Sequence, residues 1–131
     1  MRWPHRTQGL VLIAPILLVA GLAVTGCGGA AEDEANAPFT ITVEQTYLTI
    51  GNRSGSAFAG GLIELVPRGV LAPYKMELPR IESGATRDMP FDRFSGVGGA
   101  QFRRGVTRIK AVRVTATDMA GTTHKREVPF N

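Results

Sequence analysis

A chain of 131 residues has room for one ordinary domain. Its 15 Lys and Arg stand against 11 Asp and Glu, a formal charge of +4. Residues 1–26 hold Arg2 and Arg6 and no acid, so 13 cations against 11 acids remain beyond them, and the basic balance makes no case for nucleic-acid binding. With one cysteine, Cys27, the chain cannot build an internal disulfide framework.

After Arg6 no charged residue occurs before Glu32, and Gly9 to Val24 is an almost unbroken apolar run of 16 residues. Two arginines followed by such a run match a secretory signal peptide, whose positive end stays on the cytoplasmic side. The run is short for a bilayer span of about 20 residues, and Pro15 interrupts it. At its end Val24-Thr25-Gly26-Cys27 resembles the lipobox of bacterial lipoproteins, an aliphatic residue and two small ones before a cysteine. The resemblance implies that a signal peptidase reads Val24, Thr25 and Gly26, that the Cys27 thiol receives a diacylglycerol, and that the chain is cut before it. The new amino terminus then takes a further acyl chain such as palmitate. A lone thiol suits this chemistry, because a thiolate is alkylated to a thioether without a partner. Two or three acyl chains, at about 0.8 kcal/mol per buried methylene, exceed what stable membrane attachment needs. An uncleaved amino-terminal helix and a soluble secreted protein are the other readings of this segment. The lipoprotein resemblance implies a protein of the bacterial cell envelope, touching a membrane through acyl chains on Cys27. Gly28 in place of Asp favours the outer membrane, facing the periplasm, over the inner membrane where the organism has two.

Three segments result: a lipoprotein signal peptide over 1–26, a lipidated flexible tether over 27–38, and a folded domain over 39–131. The tether is small, acidic and without apolar periodicity, with Glu32, Asp33 and Glu34 read as solvated linker charges. From Phe39 the pattern turns to period two, with Phe39, Ile41 and Val43 on one side of a strand. Tyr47 to Ile50 is a second strand, ended by the turn formers Gly51-Asn52-Arg53-Ser54-Gly55, and Gly61 to Val66 a third, closed by Pro67. Tyr74, Met76 and Leu78 alternate with Lys75 and Glu77 in a fourth that Pro79 stops. A Glu82-Ser83-Gly84 turn leads into a fifth over Thr86 to Phe91, followed by a glycine-rich excursion pinned by Phe94 and Phe102. Ile109 to Thr117 is the strongest segment, with Val112, Val114 and Ala116 facing in. Ile109 and Ala111 have the opposite parity, which predicts a bulge or a late strand start near Ala111. Asp118-Met119-Ala120-Gly121 fits a hairpin turn, and Thr122 to Phe130 returns with Val128 and Phe130 inward.

About seven short strands without a helical period predict an all-β fold, an antiparallel immunoglobulin-like β-sandwich. The segments LTIGNRSG (48–55), ELPRIESGATRDMPFDRF (77–94) and TRIKAVRVTATDMAG (107–121) resemble a small immunoglobulin-like domain of uncharacterised bacterial envelope proteins. The resemblance covers nearly all of the mature domain and rests on spacings, so it implies the fold and no activity.

No residue set stands out for catalysis. His124 is the one histidine beyond the leader; amid Thr-Thr-His-Lys-Arg-Glu it reads as an exposed edge position. One histidine and an acylated cysteine leave no ordinary zinc set, and no cofactor is expected. Glu64, Asp88 and Asp92 could meet for acid and base work only if the fold brought them together, and they read as surface positions. Gly96-Val97-Gly98-Gly99 lacks the lysine and helix of a phosphate loop, and Asn52-Arg53-Ser54, though a glycosylation sequon by pattern, reads as a turn. Arg103, Arg104, Arg108, Lys110 and Arg113 form the one notable charge cluster. They read as a solvated strand face that protects a sheet edge or, alternatively, as a polyanion or anionic-lipid site whose guanidinium forks grip phosphates. The expectation is a non-enzymatic, lipid-anchored envelope protein whose sandwich is an interaction or structural module. Its partner would be an envelope protein or a polyanion, and not nucleic acid.

Overall fold

A computed structural model describes residues 36–131. The expected signal peptide over 1–26 with Val24, Thr25 and Gly26, the expected lipid-attachment residue Cys27, and the expected tether up to residue 35 lie outside the described residues.

Alternation of buried and open side chains builds the strands. They are β1 (Phe39–Val43), β2 (Tyr47–Asn52), β3 (Phe58–Pro67), β4 (Tyr74–Leu78), β5 (Thr86–Pro90), β6 (Ile109–Asp118) and β7 (Thr123–Pro129). A three-stranded sheet has the order β1-β2-β5 and a four-stranded sheet the order β4-β3-β6-β7, with every pairing antiparallel. The chain crosses from one sheet to the other after β2, after β4 and after β5. That is the immunoglobulin-like arrangement, with β4 added at the edge of the larger sheet. The expected fold class is the observed one. Between the sheets lie Phe39, Leu48 and Ile50 from one side and Ile63, Leu65, Val112, Val114 and Ala116 from the other. Burying one such side chain stabilises by roughly 1.5–3 kcal/mol.

Two boundaries differ from the sequence reading for visible reasons. β3 begins at Phe58, three residues before Gly61, because the Phe58 ring fills the core against Phe39 (centroids 5.7 Å apart) and its backbone exchanges bonds with Ile81. Gly61 lies inside the strand rather than at its start; a Cβ there would stand 2.0 Å from the Thr115 carbonyl oxygen of β6. β5 stops at Pro90, and Phe91–Arg93 turns into a single 3-10 turn that buries Phe91. Of the two alternatives for the parity break in β6, the bulge is what forms. Val66 faces Ala111 but Pro67 faces Ile109, leaving Lys110 as the extra residue. Ile109 and Val112 are therefore both buried despite opposite parity.

The strand ends gather at two poles about 30 Å apart, the length of a ten-residue strand such as β3. At the amino-terminal pole the chain enters at Phe39, beside residues 52–57, 79–85 and the 118–123 hairpin turn. At the loop pole stand the 44–46 turn, the 68–73 connection, the long 91–108 segment and Phe130.

Candidate functional site

Aromatic packing at the loop pole begins with the two rings expected to pin the glycine-rich excursion. Phe94 is fully buried, and its carbonyl accepts from Phe102 N–H at 3.0 Å, which fixes the expected excursion at both of its expected pins. Phe102 meets Tyr74 edge-on at 5.4 Å and Phe91 at 5.7 Å, and Phe130 closes the group at 5.6 Å from Phe91. Arg104 lies over these rings, its guanidinium carbon 5.0 Å from the Phe130 centroid and 5.8 Å from that of Phe91. Its Nη1 donates to the Glu44 carbonyl and its Nη2 to the Asn131 carbonyl at 3.1 Å. Arg104 is thus a strut joining the 44–46 turn to the end of β7.

Beyond the strut the chain makes a tight turn. Val106 N–H and Thr107 N–H both donate to the Arg103 carbonyl, and Gly105 takes φ +90°, a backbone that favours glycine. The Thr107 hydroxyl is 3.2 Å from the Tyr74 hydroxyl, and Arg68 N–H donates to the Arg108 carbonyl at 2.9 Å. The turn therefore sits beside the β3–β4 connection. Between them a cleft of about 440 Å³ is lined by Arg68, Arg104, Thr107, Arg108, Ile109 and Phe130. On the other flank of Arg104 a second cleft of about 470 Å³ has Tyr47, Phe91 and Phe102 as its wall and Asp88 and Asp92 among its lining.

The five-cation cluster read from the sequence is divided by the fold. Arg113 points to the outer face of the larger sheet, where its Nε donates to Glu127 at 3.0 Å and its Nη1 lies 3.7 Å from Glu64. Arg104 is the strut just described. Arg103, Arg108 and Lys110 stay exposed at the loop pole, and Arg68, which sequence reasoning missed, joins them through the β3–β6 pairing. Of the three carboxylates weighed for acid and base work, Asp88 and Asp92 line one cleft, with Asp88 accepting from the Thr49 hydroxyl at 2.7 Å. Glu64 belongs to the opposite sheet, between Lys75 and Arg113. Among the described residues no group of three His, Cys, Asp or Glu could hold a metal ion.

Four exposed aliphatic side chains at the same pole were also missed. Val70 is fully exposed, Leu71 is 63% open, and Val97 and Val106 keep 79% and 78% of their surface. The sequence carried a signal for them: Gly69-Val70, Gly96-Val97 and Gly105-Val106 are Gly-Val steps outside any strand alternation.

The amino-terminal pole is organised differently. Asn52, 1% exposed, donates from Nδ2 to the carbonyls of Ser56 (2.8 Å) and Ile81 (3.0 Å), while its Oδ1 accepts from Ser54 N–H and Oγ–H. The Asn52-Arg53-Ser54 segment is a turn, with its asparagine turned into the fold. His124 is not the exposed edge residue its polar neighbours suggested. Its ring packs near Phe58, and Nε2 donates to Asp118 Oδ2 at 2.9 Å. Asp118 also accepts from Ala120 and Thr122 N–H, and these contacts, with the His124 bond foremost, hold its carboxyl below the ordinary value of 3.8. Among the described residues no buried side-chain polar atom lacks a partner.

Against family models, curated proteins and solved structures, the chain finds no match.

Proposed function

We propose that this protein is a bacterial lipoprotein, held at an envelope membrane by acyl chains on Cys27, whose immunoglobulin-like sandwich acts as a non-enzymatic interaction module. The observation that carries this reading is Val24-Thr25-Gly26-Cys27, placed where a charge-free apolar run ends and no second cysteine competes for the thiol. The fold supports it through placement. The chain enters the sandwich at Phe39, so a tether over 27–38 attaches at the amino-terminal pole, the far end of the domain from the loop pole. At full extension those residues span about 40 Å, enough to hold the domain clear of the headgroups. The module works through its surface, and the loop pole, with its exposed cations and aliphatics, is the surface it offers.

Mass spectrometry of the native protein tests the anchor. The expected amino-terminal peptide starts at Cys27 and carries acyl mass, and Cys27→Ser leaves the precursor unprocessed. An unmodified peptide retaining residues 1–26 overturns the reading.

A further inference from the structure

Residues 44–46, 68–73 and 91–108, the connections of the loop pole, carry Arg68, Arg93, Arg103, Arg104 and Arg108 against Glu44 and Asp92, with Lys110 following at the start of β6. The three connections of the amino-terminal pole carry only Arg53 and Arg80 against Glu82 and Asp118. The charge difference between the poles coincides with a difference in apolar exposure, since four exposed aliphatic side chains are at the cationic pole and one exposed methionine, Met119, is at the other. They occupy three separate tips, two of them following a glycine with φ near +90°, Gly69 and Gly105. The cations lie on the same turns. Arg103 and Arg108 bracket Val106, and Arg68 precedes Val70 by two residues.

A protein partner would find little here to grip, because protein interfaces centre on contiguous, aromatic-rich patches. Phe94 is buried beneath this pole, and Phe91, Phe102 and the partly open Tyr47 wall a cleft whose lining includes none of the four aliphatic tips. A nucleic acid would use the cations and leave the aliphatics in water. A bilayer surface uses both, since aliphatic tips enter the headgroup layer while guanidinium groups behind them pair with phosphates. We propose that the loop pole docks on a bilayer rich in acidic phospholipid, with Val70, Leu71 and Val106 inserted and Arg68, Arg103 and Arg108 on lipid phosphates. This deepens the preceding reading, on which it rests for its geometry: the pole opposite the tether attachment grips a second membrane surface.

The test uses the full chain in phosphatidylcholine vesicles, with flotation reporting whether the protein stays with them. Capture of dye-labelled vesicles containing phosphatidylglycerol is then measured. The expected result is capture of the anionic vesicles and none of pure phosphatidylcholine. Capture should weaken about fivefold for each of Arg103→Ser and Arg108→Ser and by about tenfold or more in Val70→Ser/Leu71→Ser/Val106→Ser. These side chains are exposed, so the variants keep the wild-type unfolding midpoint, which is checked in parallel. Absence of capture by protein that floats with its vesicles overturns the proposal. So does capture that depends on the arginines and ignores the aliphatic replacements, which is the behaviour of a simple polyanion site. A chain that fails to float refutes the anchor alone. Docking is then read by co-sedimentation of the free protein with the anionic vesicles, where binding supports the proposal and its absence ends it.

Discussion

The two poles of the sandwich are built from similar turn-forming residues and come out opposite in character. At the amino-terminal pole polar side chains are spent on the chain itself: Asn52 bonds two turns together, and Asp118 caps its own hairpin and holds His124. At the loop pole the aromatic residues hold the structure from beneath, and the cations and aliphatics are left outside. A polar group buried with its partners fixes a turn, and an apolar group left in water has no structural use there. The first pole is architecture, and the second carries the surface proposed for contact.

Substitutions sharpen this contrast, from large effects to small. Phe58→Ala at the amino-terminal pole removes a fully buried ring from between Phe39 and His124. Urea unfolding should show a loss of about 3–5 kcal/mol. Asn52→Ala removes one donor each from the carbonyls of Ser56 and Ile81, which keep Ser54 Oγ–H and Phe58 N–H, and about 1–3 kcal/mol should go with the two lost bonds. A cost near zero for Asn52→Ala would mean that water replaces the asparagine and that this pole is less closed than described. Among the exposed side chains of the loop pole only the strut should matter to stability. Arg104→Ala loses two ring contacts and two carbonyl bonds, and about 1 kcal/mol is expected from the cation–π part.

The acid limb probes the Asp118–His124 pair. Because the folded carboxyl titrates below its unfolded value, its stabilisation is complete above the ordinary range of about 3.9 and fades as pH falls through the lower, folded value. The unfolding midpoint of Asp118→Asn should therefore lie below that of wild type at neutral pH, with the gap narrowing in strong acid. A gap independent of pH would assign the effect to hydrogen-bond geometry alone. Smallest of all, Val106→Ser and Arg108→Ser should shift stability by no more than about 0.5 kcal/mol.

How much of this was legible in the sequence follows the same division. Period two reveals strands, because one buried face repeats every second residue, and Phe39, Ile41, Val112, Val114 and Ala116 all sit where that pattern puts them. The bulge at Lys110 was visible as a parity break. The buried role of His124 was not, because its bonding partner Asp118 lies in the turn before it and only the hairpin closes the distance. Five cations within a short stretch looked like one cluster, but a turn, a bulge and a strand send Arg104 and Arg113 to different jobs. Arg68 joins the cluster only through a pairing that sequence adjacency cannot show.

An environment-sensitive dye gives the most direct test that contact belongs to the loop pole. It would be carried in turn on Val106→Cys and on Ala120→Cys in the anchored chain, corrected for label on the chain without the added cysteine. On adding phosphatidylglycerol vesicles, the account predicts a blue shift at position 106 and none at position 120. An equal shift at both, or a shift at 120 alone, contradicts it.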